Sequence, residues 1–577
     1  MNTLLSAATT TFRVENMRLN KRAITRLQGT VIIAILVVLV AVGAYYSTLP
    51  PAAPGPTTTA ATTPLTTQVS KGKLVVDLWY ESSGHYPQSA EQALLIKAQL
   101  ERTGVITVNL HGADWASFKK NRDAEIMPLY LVGAYPDYMD ADGMVMFFLH
   151  SKGAAGWLRT NYKNPEMDRL IEQARASIDP AIRDQLYAQI QKIMVDDAPY
   201  VPIYQSVAFA VSKTDVEGIV LDLTQVPHLF LMDNPRDTLF IGTTDSVEIN
   251  LDPAEAWDYF GFNTIIQNTG ESLLYIEPGS EAGPEDFRPA LATSWSTSPD
   301  GLTYTFNLRQ GVKFSDGKEF DASAVKYSFD RSLGLYIPTG APAGLGYKDI
   351  IDSVEVTSKY QVVFHLKTTF APFLSLLASS GAFIVNPKYA PMDKTVNYVE
   401  GNARASHPND LGPYVLTSWT RKAGKDYEMR LDANPNYWGP PPKTSHIVFQ
   451  FYSDATALAM AMKAGDIDIA YRQLTSTDIK SFESDPTVKV WRGKGNFIQY
   501  IAFQEKIQPF DNPKVRQAIA AALDRKEFVD TVFLGQGEPL YTLIPSGMAF
   551  QKEGFKVLGD ANITLTVSIL RELGYGP

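Results

Sequence analysis

At 577 residues, 45% hydrophobic and 11% aromatic, the chain is too long for one hydrophobic core and too apolar to be disordered, so about two to four domains are expected. A net charge of −10, with no basic block beyond the N-terminus, argues against nucleic acid as a partner. The absence of cysteine excludes disulfides, thiolate metal sites and a cysteine nucleophile together.

The N-terminal 28 residues are basic, with Arg13, Arg18, Lys21, Arg22 and Arg26 ahead of an uncharged apolar run at 29–46. That run approaches the length needed to span a bilayer, roughly 17–20 residues, and the basic flank keeps the N-terminus inside. The expectation is a transmembrane or signal segment with the rest of the chain on the extracytoplasmic face of the cell membrane. "KRAITRLQGTVIIAIL" also resembles archaeal class III leaders, which are cut before the apolar run, here after Ala23. "AVGAYYS" offers a conventional cleavage site after it, so a cleaved leader and a retained anchor both stand. Residues 47–71 are rich in Pro, Thr and Ala and read as an extended linker.

From Lys73 the pattern is mixed α and β. "KLVVDLWYE" (73–81) reads as a strand, "SAEQALLIKAQLERTG" (89–104) as a helix capped by Ser89, and "VITVNLHGADW" (105–115) as a strand. Helices follow at 164–179 and 180–199, the second opening on Pro180, and a strand at 200–212. Beyond Asp237 hairpin signals dominate. Residues 302–320 alternate between turns at Asp300-Gly301 and Asp316-Gly317, and Asp321 caps the next helix. Strands are expected at 352–367 and 414–432, and helices at 455–465, 512–533 and the very end of the chain. There Val567, Ile569, Leu570 and Leu573 form one face and Gly574 the cap, with no strand following.

The stretch "ALATSWSTSPDGLTYTFNLRQGVKFSDGKEFDASAVKYSFDR" (290–331) resembles the signature region of the family 5 extracellular solute-binding proteins, the oligopeptide- and dipeptide-binding components of ABC importers. "LGPYVLTSW" (411–419), "ANPNYWG" (433–439), "MKAGDIDIAY" (462–471) and "PFDNPKVRQAIAAALDR" (509–525) continue the resemblance, as do "NPEMDRLIEQAR" and "RDQLYAQIQKIMVDDAPYVPIY" in the first half. It covers the chain from Gly72 onward, but in rotated order. Residues 237–256 resemble the family's beginning and 197–210 its end, so the body reads as a circular permutant whose final helix should meet the strand at 73–81. A short join near 224–236 would link the family's own termini. A rearranged gene whose product does not fold is the alternative.

The resemblance implies an α/β, two-lobed periplasmic-binding-protein-like fold (type II, cluster C) with an additional small domain. Lobe I would comprise 206–275 and 405–505, the additional domain 276–404, and lobe II 72–205 together with 506–577. It also implies an interlobe cleft for a peptide and delivery of that peptide to ABC permease subunits. An oligosaccharide, which other members bind, is the alternative ligand.

No HExxH pair, G-x-S-x-G elbow or phosphate loop appears, so no cofactor, metal or catalytic residue is expected, and a secreted hydrolase is the weaker reading. "YPDYMDADG" (135–143) lacks the Gly and distal Glu of a calcium loop. In the resembled family this position carries an aspartate that pairs with a peptide's α-amino group, and Asp137 matches it. Asp140 and Asp142 read equally well as parts of a solvated turn. Ala134 stands three residues before Asp137, where members often carry Trp, which removes one aromatic wall. Tyr135 and Tyr138 beside Asp137, and Trp257 and Tyr259 in "AWDYFGFN", complete the expected ligand-binding set. Trp79 and Trp115 are further cleft candidates, while Trp295, Trp419 and Trp438 fall in structural motifs and are expected in cores.

Overall fold

Two strands decide the architecture. Tyr200–Lys213, of 14 residues, and Val488–Phe503, of 16, run antiparallel along almost their whole length in the computed structural model, which describes residues 71–576 except Gly84. The expected membrane segment at 29–46 and most of the linker at 47–71 lie outside the described residues. No helix among the described residues is long and apolar enough to cross a membrane.

Each long strand is too long for one core and serves two. Tyr200, Val201, Ile203 and Tyr204 pack with Phe497–Phe503 in one cluster, whereas Ala210 and Val211 pack on the other side of a divide. The divide is a bulge: Lys494 opposes Val207 and Ile498 opposes Gln205, so three residues face one. Gly495 sits at its centre, where a Cβ would stand 2.2 Å from the Ser206 carbonyl oxygen. The buried Gln205 amide donates to the Gly495 carbonyl at 2.6 Å, which satisfies the polar group the bulge releases.

An eleven-stranded sheet grows from this pair, ten strands in one path and the eleventh, Gly537–Pro539, pairing separately with Tyr200–Lys213. In lobe II the order outward is Val488–Phe503, Leu129–Ala134, Leu74–Glu81 and Ile106–Ala113. In lobe I it is Tyr200–Lys213, Ile469–Tyr471, Thr238–Thr243, His446–Phe451, Lys425–Ala433 and Tyr414–Lys422. A separate four-stranded sheet, Ile351–Ser358, Gln361–Leu366, Thr303–Leu308 and Ala292–Thr297, forms the additional domain with helix Ala322–Leu335. Asp321 caps that helix by accepting from the Ser323 amide.

Lobe II is assembled from distant segments. Arg102 makes a two-pronged ion pair with Glu527, both contacts at 2.7 Å and 425 residues apart, and Gln99 exchanges hydrogen bonds with the Asp524 backbone. The helix Ile563–Glu572 ends on Gly574 at φ +87°, the left-handed cap that the glycine supplies. Lys71 N–H then donates to Gly574 O at 2.8 Å, and Gly576 N–H donates to Gly72 O at 3.0 Å. The strand Leu74–Glu81 leaves directly from this junction.

Two local expectations are corrected. Ser89 is the first residue inside helix Ser89–Glu101 rather than its cap; Gln88 holds the left-handed position before it. The expected turns at Asp300-Gly301 and Asp316-Gly317 are both present, the first joining Ala292–Thr297 to Thr303–Leu308 and the second closing a small bridge between Lys313 and Glu319. The helix expected over 512–533 stops at Ala522, since Leu523 turns extended and Asp524 caps a second short segment.

The additional domain is tied to lobe I by an ion pair removed from water. Arg331, 1% exposed, donates to both oxygens of Asp252 at 2.8 and 2.6 Å, and its other N–H groups reach the Pro391 and Lys394 carbonyls. Val396 N–H completes the Asp252 carboxylate. Removing one partner strands the other charge, a loss of about 3–5 kcal/mol. Asp252→Ala is therefore expected to lower the urea midpoint followed by tryptophan fluorescence, with Arg331→Met in the same chain recovering much of the loss; a single variant within about 1 kcal/mol of wild type would contradict the assignment.

Candidate functional site

Strand Leu129–Ala134 delivers the loop Tyr135–Met139 to the lobe boundary, and helix Ala141–Phe148 leads the chain away. Three acids sit in this stretch, and basic neighbours decide their fates. Asp140 caps the helix through the Asp142 amide and accepts two bonds from Arg183, at 2.6 and 3.0 Å. Asp142, with no exposed surface, accepts from the Tyr138 hydroxyl at 2.5 Å and lies 3.2 Å from Arg175. Neither belongs to a solvated turn. Asp137 has no ion-pair partner among the described residues. Its carboxylate meets the Trp257 indole across the lobe boundary, and burial pushes its pKa up to about 6 against the pull of that hydrogen bond.

A cavity of about 290 Å³ opens in front of Asp137. Lobe II contributes Tyr135–Met139, and lobe I and the additional domain contribute the rest, including Tyr259, Phe262, Glu271, Ser379 and Trp438. Of the expected set, Tyr135, Asp137, Tyr138 and Tyr259 line it. Trp257 touches Asp137 without lining the cavity, its ring lying where a Cβ on Gly344 would be 1.4 Å away. Tyr138 keeps its hydroxyl on Asp142, so only its ring is free to meet a ligand.

Tyr135 and Tyr259, 5.8 Å apart, come from opposite lobes and share Arg472. That guanidinium lies 3.4 Å over the Tyr259 ring and donates to the Tyr135 hydroxyl at 2.9 Å, with Asp245 at 3.6 Å. Arg472 has φ +60° and the next residue φ +58°, the backbone turn that brings the side chain to the boundary. The Tyr259 hydroxyl donates to the Gln225 carbonyl.

Sequence reasoning missed several lining residues. Thr224, Val226, His228 and Phe230 lie in the segment read as a mere join, yet they form cavity wall. His228 is held by Asp222 at 2.8 Å, and no sequence motif marks it. Trp438, expected in a core, lines the cavity beside Glu271, while Trp79 stacks on His111 and Trp115 on His85 outside it. Asn496 is turned inward by the strand bulge and donates to the Leu223 carbonyl at 2.6 Å. The described residues contain no cluster of three or more metal-ligating side chains.

The profile of the bacterial extracellular solute-binding proteins, family 5 Middle, matches residues 286–577. The chain belongs to this family. Its members are described as bacterial extracellular solute-binding proteins. A di/tripeptide-binding protein 2 of Pseudomonas aeruginosa is 32% identical over 310 residues, 51% of this chain and 56% of that protein. Heme-binding protein A of Haemophilus influenzae is 30% identical over 320 residues, 53% and 56% of the two chains. The periplasmic binding protein DppA of Helicobacter pylori, solved with the peptide STSA, matches 59% of this chain and 66% of its own at 24% identity, with a TM-score of 0.44. This family 5 chain thus spans about half the length of the curated relatives it matches. The two curated names refer to peptides and heme and lend no support to the oligosaccharide alternative.

The raised pKa of Asp137 has a stability consequence. The native state holds this proton more tightly than an unfolded chain, whose aspartates titrate near 3.9. The contribution is fully present below about pH 4 and is lost as pH rises through about 6. At pH 7.5 the unliganded protein carries a penalty of about 3 kcal/mol from this group. Asp137→Asn is expected to melt higher than wild type at pH 7.5 and at the same temperature near pH 4. An advantage that persists unchanged at pH 4 would assign it to something other than the charge.

Proposed function

We propose that this protein captures short peptides in the interlobe cavity on the extracytoplasmic face of the membrane and hands them to the permease of an ABC importer. One observation carries the reading: Asp137 is the acid of its loop left without a basic partner, enclosed between lobes and aimed into a cavity. An ammonium group there would accept its place as the missing cation, with charge-assisted hydrogen bonds strengthened by the exclusion of water. Closure of the lobes around the long-strand hinge would bury the peptide, and Tyr135, Arg472 and Tyr259 would hold the closed form together. Backbone and amide groups of the cavity, Asn263 and Gln267 among them, would serve the peptide bond.

We further read the body as circularly permuted and held at the membrane by the N-terminal segment. The backbone bonds between Lys71–Gly72 and Gly574–Gly576 support the permutation, as does a family match confined to the second half of the chain. A re-ordered gene with 237–577 placed before 72–236 is expected to yield a protein of unchanged melting temperature and ligand affinity; an insoluble product would count against the reading.

The purified membrane fraction should contain the chain, and gentle denaturation of it should release short peptides. Asp137→Asn should weaken binding of a free-amine dipeptide at least tenfold, measured by titration calorimetry, and N-acetylated peptide should bind to neither form. Recovery from the cytoplasm, release of sugars, or equal affinity of the variant would overturn the proposal.

A further inference from the structure

The cavity contains a second carboxylate that the peptide reading leaves idle. Glu271, 8% exposed, faces the cavity from the lobe I wall, across from the lobe II loop that carries Asp137. It accepts a long bond from the Ser272 amide at 3.3 Å, has the Trp438 indole and the Tyr437 hydroxyl as neutral side-chain donors beside it, and has no ion-pair partner among the described residues. The charged and titratable groups bearing on it are Arg309, Tyr437 and Tyr275. Arg309 is not part of the lining; its guanidinium is stacked 4.0 Å over the Trp438 ring and its Nε donates to the Ala290 carbonyl.

Among the described residues, no lysine or arginine lines the cavity. The histidine that does, His228, is matched by Asp222 at 2.8 Å. Asn268 is also spent, donating to the Pro227 and Thr264 carbonyls and accepting from the Leu229 amide. A ligand carboxylate entering this space would meet phenols, an indole and neutral amides, facing two acids and no free cation. A zwitterion satisfies one of the two acids and brings a third negative charge into a water-poor site. A ligand with two cationic groups satisfies both.

We propose that Glu271 is a second cation-recognising group, so that the preferred ligand is a peptide carrying a basic side chain in addition to its α-ammonium group. This rests on the reading of Asp137 given above. Burial pushes the Glu271 pKa up to about 7, so the empty cavity holds a proton there over part of the neutral range, and the incoming side-chain cation displaces it.

Titration calorimetry of the purified full chain with alanyl-lysine and with alanyl-norleucine, which keeps the side chain and removes its charge, tests the inference. The lysyl peptide should bind at least tenfold more tightly. Glu271→Gln should erase that ratio, alanyl-lysine losing its advantage over alanyl-norleucine. Repeating the wild-type titrations at pH 7 in two buffers of different ionisation enthalpy should show greater proton release with alanyl-lysine, a readout that needs no variant to fold. Equal affinities and equal proton release for the two peptides would overturn the inference and leave the peptide reading standing. If neither peptide binds but 1,5-diaminopentane does, in a Glu271-dependent way, the cation site stands and the peptide reading falls. Binding of none of the three removes both.

Discussion

The molecule depends on two strands long enough to belong to two cores. A strand that spans a lobe boundary transmits register from one side to the other, since a slip of one residue would turn every side chain over on both sides. The bulge at Gly495–Phe497 breaks that rigid transmission at one place. It lets each lobe keep its own pairing, and it points Asn496 into the cavity while setting Phe497 beneath Tyr135, with ring centroids 4.9 Å apart. The bulge between the two cores and one residue of the cavity wall, Asn496, therefore come from the same short stretch.

The acids at the loop show how a fold gives chemically similar groups different surroundings. Asp137, Asp140 and Asp142 are chemically alike, yet Arg183 and Arg175, delivered by helices Pro165–Ala176 and Pro180–Asp197, neutralise the second and third. Those helices lie well along the chain from the loop, so the choice is made by tertiary packing. Across the cavity, Asp222 likewise pairs with His228 at 2.8 Å, while Arg309 bears on Glu271 without an ion pair between them.

This explains what the sequence could disclose. Helix ends marked by Asp321, Pro180 or Gly574 were legible because the cap, the fixed φ or the left-handed residue acts within a few positions. The strand at 200–213 was legible from its apolar run. Its partner at 488–503 was not, because Gly493, Gly495 and Asn496 look like strand breakers; both glycines are there because the Leu221 and Ser206 carbonyls come within 1.9 and 2.2 Å of where their Cβ atoms would be. The family resemblance singled out Asp137, which the structure places on the cavity wall, whereas Glu271, His228 and Trp438 become cavity residues only when segments more than a hundred residues apart meet. The reading of Trp438 as core failed for that reason: it packs with Tyr437 on one side and opens to the cavity on the other.

The long-range pairing of lobe II also orders events during synthesis. Gln99 and Arg102 leave the ribosome 425 residues before Asp524 and Glu527, the groups that complete them. Lobe I and the additional domain, whose strands lie between, have all their sequence available in the interval. The strands Leu74–Glu81 and Leu129–Ala134 meanwhile lack the Val488–Phe503 strand that covers their edge, and an uncovered edge of apolar strands invites pairing with other chains. The nascent protein therefore passes through a long stage in which the first segments of lobe II to be made wait for the strand and helices that complete them.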